Sequence, residues 1–314
     1  MSGLFENKTV LVTGATGSFG NTLVPELLRL GAGRVVAYSR GEEMQWRMRR
    51  KLPDSRLSFV IGDVRDFERV LDAAKGAEYV YHAAALKFVP TCEDAPNEAY
   101  KTNITGSLNV RDACRRNGVA NAVLVSTDKA VKPVNAYGMS KAMAEKIWLQ
   151  DELRTETLFG VVRYGNVIGS RGSIIPLYRE LIQESKPLPI TDTRMNRFLL
   201  TLHQAIGLVI YATEHMRGGE VFVPNNPASL ITDLAVAMAG PDYPTETVGI
   251  RPGEKLSEVL ISEEETYRTE DCGERFIIHP IGTRAPGIAE EFTSTNARQL
   301  SVGEIKTMLS GAGL

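Results

Sequence analysis

Apolar runs of strand length alternate with amphipathic stretches through the first half of the chain. Residues 9–12, 34–38, 57–61, 79–81, 122–125 and 158–162 are short apolar segments that read as buried strands. Between them, residues 21–30, 42–51, 70–74, 97–117 and 137–153 carry apolar positions at helical spacing. Strands that alternate with helices of this length form βαβ units, so the pattern predicts an α/β fold with a doubly wound parallel sheet covered on both faces. After Arg163 turn residues become frequent, among them Gly165, Gly169, Gly172, Pro176, Pro187 and Pro189. The clear helix in this half spans residues 203–215. The expected division is a first domain over residues 1–165 and a smaller mixed α/β lobe over 166–314, with part of 195–225 threaded back into the first.

Composition narrows the class. Of 314 residues, 43% are hydrophobic and 24% charged, which is the balance of a folded globular chain. A net charge of -2 gives no reason to expect a nucleic-acid partner. No apolar stretch approaches the roughly 20 residues that span a bilayer, and no charged segment followed by a long apolar run marks a signal peptide, so no membrane association is expected. Cys92, Cys114 and Cys272 are odd in number and far apart, and the four histidines show no ligand spacing. A reducing cytoplasm and no bound metal are therefore expected.

The first candidate site follows the first strand. Gly14, Gly17 and Gly20 space a turn that also contains Thr16, Ser18 and Phe19 and opens the first helix. Glycines there let the backbone approach a pyrophosphate, and the helix N-terminus offers free N–H groups. Strand, glycine turn and helix together make the fold a Rossmann-type dinucleotide-binding one. At the end of the second strand stand Ser39 and Arg40, where NAD enzymes often place an acid for the ribose 2′-OH. A hydroxyl and a guanidinium suit a 2′-phosphate, which favours NADP over NAD. Asp63 and the Val64 backbone, after the third strand, are placed to meet the adenine edge.

A second candidate site lies in the middle of the chain. Tyr137 and Lys141 stand four residues apart, on one face of a helix. An ammonium near a phenol lowers its pKa, making Tyr137 a base for a sugar hydroxyl, with Lys141 also able to hold a nicotinamide ribose. The preceding loop places Thr127, Asp128 and Lys129 together after the fifth strand. A plain oxidoreductase needs the hydroxyl there and has no use for an adjacent acid and base.

These motifs resemble the UDP-N-acetylglucosamine 4,6-dehydratases of bacterial surface-polysaccharide and flagellin-sugar biosynthesis, members of the extended short-chain dehydrogenase/reductase superfamily. The resemblance covers nearly the whole chain. It runs through Thr13 to Gly20, Tyr38-Ser39-Arg40, Gly62-Asp63-Val64-Arg65-Asp66, His82-Ala83-Ala84-Ala85-Leu86-Lys87 and Lys101-Thr102-Asn103. It continues through Ser126-Thr127-Asp128-Lys129-Ala130, Val162-Arg163-Tyr164-Gly165-Asn166-Val167, Ser170-Arg171-Gly172-Ser173, Arg197-Phe198 and Arg251-Pro252-Gly253-Glu254-Lys255-Leu256. The second half is most similar to the branch that combines dehydration with inversion at C5.

The resemblance implies that Tyr137, with Thr127 and Lys141, takes the proton of the sugar 4-OH while hydride passes from C4 to the cofactor. Lys129 then removes the C5 proton and Asp128 protonates the departing 6-OH. It also implies cofactor contacts from Ala83, Ala84 and Lys87, and substrate contacts from Lys87, Asn103, Asn166, Arg171, Arg251 and Glu254. Asn103 would also order water and backbone around the Tyr–Lys pair. A homo-oligomer, dimer or hexamer, is implied as well. This chain departs from the pattern at Phe88, at Asn196, and at Tyr137, where close capsule-type relatives commonly carry Met. The Tyr137 departure leaves open which residue starts the redox step. Two other readings stay open: a nucleotide-sugar 4-epimerase, which needs no paired Asp128 and Lys129, and a non-enzymatic NADP-binding regulator.

Overall fold

The structure is a computed structural model that describes residues 3–150 and 156–314. Its first half alternates β1 (Thr9–Thr13), α1 (Ser18–Arg29), β2 (Arg34–Ser39), α2 (Glu42–Lys51), β3 (Leu57–Ile61), α3 (Phe67–Ala73) and β4 (Tyr79–His82). Short helices α4 (Val89–Asp94) and α5 (Pro96–Ala99) lead into α6 (Gly106–Arg116), β5 (Asn121–Thr127), α7 (Ala136–Trp148) and β6 (Leu158–Tyr164). Strand order β3-β2-β1-β4-β5-β6, all parallel, is the expected doubly wound sheet.

Side-chain alternation explains why both faces are covered. Leu11, Val36, Val80, Leu124 and Val161 point into one core with Val70, Val110, Ala144 and Trp148 of α3, α6 and α7. Val10, Val12, Val35, Val123 and Val162, one residue out of step, point into the other core with Leu23 and Leu27 of α1. Neighbours on a strand face opposite ways, so continuous apolar runs are what a sheet buried on both sides requires. Each such fully buried aliphatic side chain contributes about 1.5–3 kcal/mol.

The second half adds β7 (Asn166–Val167), α8 (Ile174–Gln183), β8 (Leu188–Ile190), β9 (Asn196–Leu200), α9 (Leu202–His215), β10 (Val221–Pro224), β11 (Ala228–Leu230), α10 (Ile231–Ala239) and β12 (Thr245–Thr247). It ends with β13 (Val259–Ile261), β14 (Thr269–Asp271), β15 (Arg275–Ile278), β16 (Phe292–Thr293) and α11 (Val302–Gly311). Helix α9 joins the α1 face through Ile206 and Val209. Strand β10 pairs parallel with β6, and β15 and β14 extend the same sheet antiparallel, so residues beyond 225 also enter the first lobe's sheet. The remaining elements form a smaller lobe of three short sheets and helices around two cores, one on Ile168, Ile175, Leu199 and Leu234, the other on Tyr178, Leu188 and Ile190.

Two helix expectations differ from the structure. The stretch 97–117 is not one α-helix: residues Tyr100–Thr105 form a π-helical turn between α5 and α6. Such widened turns occur at functional sites, and here Asn103 is turned inward from it. Helix α7 ends at Trp148, whose indole donates to the Ala122 carbonyl at 3.3 Å. The expected continuation toward Leu153 lies outside the described residues.

Candidate active site

The strand order reverses between β1 and β4, where ligands meet a doubly wound sheet. Gly14, with φ +68, follows β1 there, and a Cβ at this position would come within 2.7 Å of the Ala84 nitrogen and 2.8 Å of the Ala83 carbonyl carbon. The loop can therefore pass under residues 83–84 only as glycine. Helix α1 begins at Ser18, earlier than its periodicity suggests, and its N-cap Gly17 supplies no side-chain cap. With no acid in its first turn, that end is left free for an anion.

Around this loop the expected cofactor residues converge. Ser39 is buried, its hydroxyl and carbonyl accepting from Gln45 at 3.1 and 2.9 Å. Arg40 is 54% exposed and only loosely paired with Asp63, at 3.8 Å. Asp63 is gripped by Arg65 at 2.7 and 2.9 Å. Burial would raise its carboxyl, but the Arg65 bonds outweigh that and hold it below the usual carboxylate range. The Val64 side chain is buried and its carbonyl accepts from Asn109 at 2.9 Å, leaving the N–H side. Phe19 stacks on Tyr164 at 6.5 Å.

Arg171 lies against the phosphate loop. Its guanidinium donates to the Thr16 carbonyl, and its N–H to the Ser18 hydroxyl at 3.0 Å. Lys87 donates to the Arg171 carbonyl at 2.8 Å. Both residues thus belong to a cover over the phosphate loop. Asn103 points inward. It is buried, its amide donating to the Leu86 carbonyl and the Ser140 hydroxyl, both at 2.9 Å, while its oxygen accepts from the Leu86 N–H at 2.8 Å. It holds the backbone after β4 against α7.

The catalytic loop follows β5. Thr127 caps a single 3₁₀ turn, Asp128–Ala130, and donates to Asp128 Oδ1 at 3.0 Å. A Cβ on Gly138 would lie 2.2 Å from the Lys129 carbonyl oxygen, so a glycine at this point of α7 lets the helix press against the loop. Lys129 Nζ lies 3.1 Å from Asp128 Oδ1 and 3.2 Å from Glu258 Oε1. Burial pushes the Asp128 carboxyl up, against the pull of Lys129, which suits a proton donor. The two carboxylates outweigh burial at Lys129 and hold it above the ordinary lysine range, as ammonium. Glu258 resists burial through Lys129, Arg197 and Lys255 and stays below the usual range.

Tyr137 corrects the expected electrostatics. Burial pushes its phenol up to about 12, opposed first by the Lys129 charge and then by a hydrogen bond with Thr127. The cation bearing on Tyr137 is thus Lys129. Lys141 donates to the Val125 carbonyl at 2.8 Å, and burial lowers its ammonium to about 8.

Behind the loop lies a buried charge network. Arg163 meets Glu145 of α7 at 2.6 Å and Glu265 at 2.8 Å, and Glu145 accepts from Ser126. Neither this network nor Glu258 was among the expected site residues. In front of the loop, a cavity of about 550 Å³ is lined by Lys129, Asn166, Arg197, Arg251, Glu254 and Glu258. A larger groove, about 1570 Å³, runs between α1 and α9 and holds none of the expected site residues. Among the described residues no cluster of metal-ligating side chains occurs.

A phosphate-binding switch point, a Tyr–Lys helix and a polar cavity under a second lobe define an extended short-chain dehydrogenase/reductase. Residues 10–280 match the family described as "Polysaccharide biosynthesis protein", and the chain belongs to it. It is 44% identical to a UDP-N-acetylglucosamine 4,6-dehydratase (inverting) of Campylobacter jejuni, over 88% of this chain and 84% of that protein. It is 42% identical to a UDP-glucose 4-epimerase of Rickettsia bellii, over 98% and 96%. The crystal structure of Pen from Bacillus thuringiensis superposes with a TM-score of 0.93 at 34% identity, covering 98% of this chain and 99% of that one. MoeE5 in complex with UDP-glucose and NAD superposes with a TM-score of 0.67 at 25% identity, covering 78% and 87%.

Proposed function

We propose that this protein dehydrates UDP-N-acetylglucosamine to a UDP-4-keto-6-deoxy-N-acetylhexosamine, with inversion at C5. The observation that carries this reading is the buried acid beside an amine: Asp128 and Lys129, 3.1 Å apart and close to Tyr137, with Lys129 lining the cavity. The C. jejuni dehydratase supports it. Asn166, Arg251 and Glu254 line the cavity and would hold the nucleotide.

The chain's residues divide the work by protonation state. Tyr137 accepts the 4-OH proton once its phenol has given up its own, an ionisation that burial opposes and the Lys129 charge and the Thr127 hydrogen bond favour. Asp128, whose carboxyl burial pushes up, gives its proton to the departing 6-hydroxyl. Lys129 takes the C5 proton. A nicotinamide dinucleotide bound there would supply the hydride exchange between C4 and C6. The free N-terminus of α1 and the passage at Gly14 fit its pyrophosphate. Arg40, loosely held and exposed, favours NADP; the NAD bound by MoeE5 keeps NAD as the alternative. The buried thiols Cys92 and Cys114 and the exposed Cys272 suit a reducing cytoplasm. Tyr100, Leu108, Met139 and Met143, exposed on neighbouring helices, favour a homo-oligomer.

The test is incubation with UDP-N-acetylglucosamine in D₂O, followed by NMR. A 6-deoxy-4-keto product with deuterium at C5 supports the dehydratase, and its couplings report inversion. The R. bellii relative favours a second reading, a 4-epimerase. An unchanged 6-hydroxymethyl group with a new C4 epimer would establish that reading instead.

A further inference from the structure

Lys129 presents a chemical difficulty. An ammonium has no lone pair, and the Glu258 carboxylate at 3.2 Å, with the Asp128 carboxyl oxygen accepting at 3.1 Å, keeps Lys129 in that form. To remove the C5 proton it must first lose one. Asp128 cannot take it, because Asp128 must keep its own proton for the leaving hydroxyl.

We propose that Glu258 is the proton partner of Lys129, a positioning residue that takes the ammonium's proton so that the freed amine can accept the proton from C5. The inference rests on the dehydratase reading above. Glu258 is 2% exposed, yet it lines the cavity with Lys129. Its backbone is pinned on both sides by Ser294, whose hydroxyl accepts from the Glu258 N–H at 3.0 Å and whose N–H donates to the Glu258 carbonyl at 2.8 Å. Its carboxylate is therefore fixed in place. Oε1 faces Lys129, and Oε2 is buried without a hydrogen bond. The charged groups facing it are Lys129 and Asp128 from the catalytic turn, Arg197 of β9 at 3.8 Å, and Lys255 at 3.7 Å. Lys255 is itself tied to the Val131 carbonyl at 2.7 Å. Tyr137 of α7 is within reach of the Lys129 charge.

The steps balance. A proton passes from Lys129 Nζ to Glu258 Oε1, leaving amine and acid. Closing the cavity on a sugar removes water, which weakens the case for an ion pair over a neutral pair. The C5–H bond breaks, its proton goes to the amine, and its electron pair moves into the C4 carbonyl as enolate. The enolate re-forms the carbonyl, C5=C6 forms, and the C6–O bond breaks as Asp128 gives its proton to the leaving oxygen, which departs as water. Lys129 is again an ammonium, Glu258 an acid and Asp128 a carboxylate. Because Nζ lies between the two, the Glu258 proton returns through it to Asp128. C5 is later reprotonated from solvent.

The experiment compares wild type, Glu258→Gln and Glu258→Asp, each with bound cofactor, in two readouts. One is the rise in reduced-nicotinamide absorbance on adding UDP-N-acetylglucosamine, which reports the step at C4. The other is deuterium at C5 with formation of the 6-deoxy sugar. Glu258→Gln is expected to keep the first and to slow the second about 100-fold, the low end of general acid–base effects. Its residual dehydration should rise with pH, because Lys129 must then lose its proton to solvent, while wild type stays level. Glu258→Asp should restore part of the rate. C5 exchange in Glu258→Gln indistinguishable from wild type, an unchanged pH profile, or equal loss of both readouts in both variants would overturn the proposal. A wild-type enzyme that reduces the nicotinamide without exchanging C5 overturns the dehydratase reading itself, before any variant is compared.

Discussion

Replacing Arg163 by Met should destabilise the protein strongly, and the loss should shrink in acid. Arg163 is 4% exposed. Its guanidinium serves Glu145 at 2.6 and 3.2 Å, Glu265 at 2.8 and 3.1 Å, and the Leu260 carbonyl at 2.9 Å. Met fills much of the volume, so the cost is mainly the stranded charge. Removing one partner of a buried ion pair costs about 3–5 kcal/mol. At about 2.1 cal/mol/K of unfolding entropy per residue, 314 residues give about 0.66 kcal/mol/K, so Tm should fall by about 5–8 °C. The pH dependence follows from Glu265. Burial would raise its carboxyl, but Arg163 holds it below the ordinary range in wild type. A depressed folded pKa stabilises above the unfolded pKa, and that contribution is lost as pH falls through the folded value. In Arg163→Met burial is opposed only by the weaker pull of Arg268 and the Ser262 N–H, so Glu265 takes up a proton at higher pH and the strain is relieved. The difference in Tm between variant and wild type should therefore be larger at pH 7 than at pH 5. A thermal melt at both pH values reads it. A shift below about 1.5 °C at pH 7, equivalent to about 1 kcal/mol, or one that does not narrow in acid, would refute the argument.

Three further outcomes follow from the site. Arg40→Ala should weaken NADP binding by about 10- to 150-fold, the worth of hydrogen bonds to a charged group, and leave NAD nearly unchanged; titration calorimetry with both cofactors decides, and equal losses would remove Arg40 from the 2′-phosphate. Lys129→Ala should abolish the 6-deoxy product while allowing slow reduction of bound NADP⁺, followed by absorbance after mixing with substrate; full turnover would exclude Lys129 from the chemistry. Gly14→Ala places a Cβ 2.7 Å from the Ala84 nitrogen at a positive φ, and should release the cofactor on gel filtration; cofactor retained at the wild-type level would show that the loop can move aside.

The parallel sheet was legible because each strand is a continuous apolar run and each crossover helix has its own periodicity. The catalytic loop was legible because Thr127, Asp128 and Lys129 are adjacent and Tyr137 follows within one helix. What escaped was created by tertiary contact. Glu258 lies just beyond the Arg251–Leu256 motif and reads as a solvated acid; only the fold brings it to Lys129. Glu145 and Arg163 flank the fifth and sixth strand region as ordinary helix and strand residues until Glu265 closes the network. Asn103 was read both as a sugar contact and as ordering backbone around the Tyr–Lys pair; a motif does not show that a π-helical turn rotates its side chain inward to Leu86 and Ser140. Arg171 sits in a glycine-bounded turn whose path over Ser18 has no local signal.

The pairing of β10 with β6, and of β15 with β10, has a consequence for how this architecture can be inherited. A chain cut after residue 165 would expose the edge of β6 that faces β10, leaving Val161 and Val162 paired with β5 alone, and would lose the α9 cover over one face. Such an edge is a template for association with other chains. The smaller lobe is thus not a module that can be exchanged behind an intact first lobe, because the polypeptide is sewn through both halves.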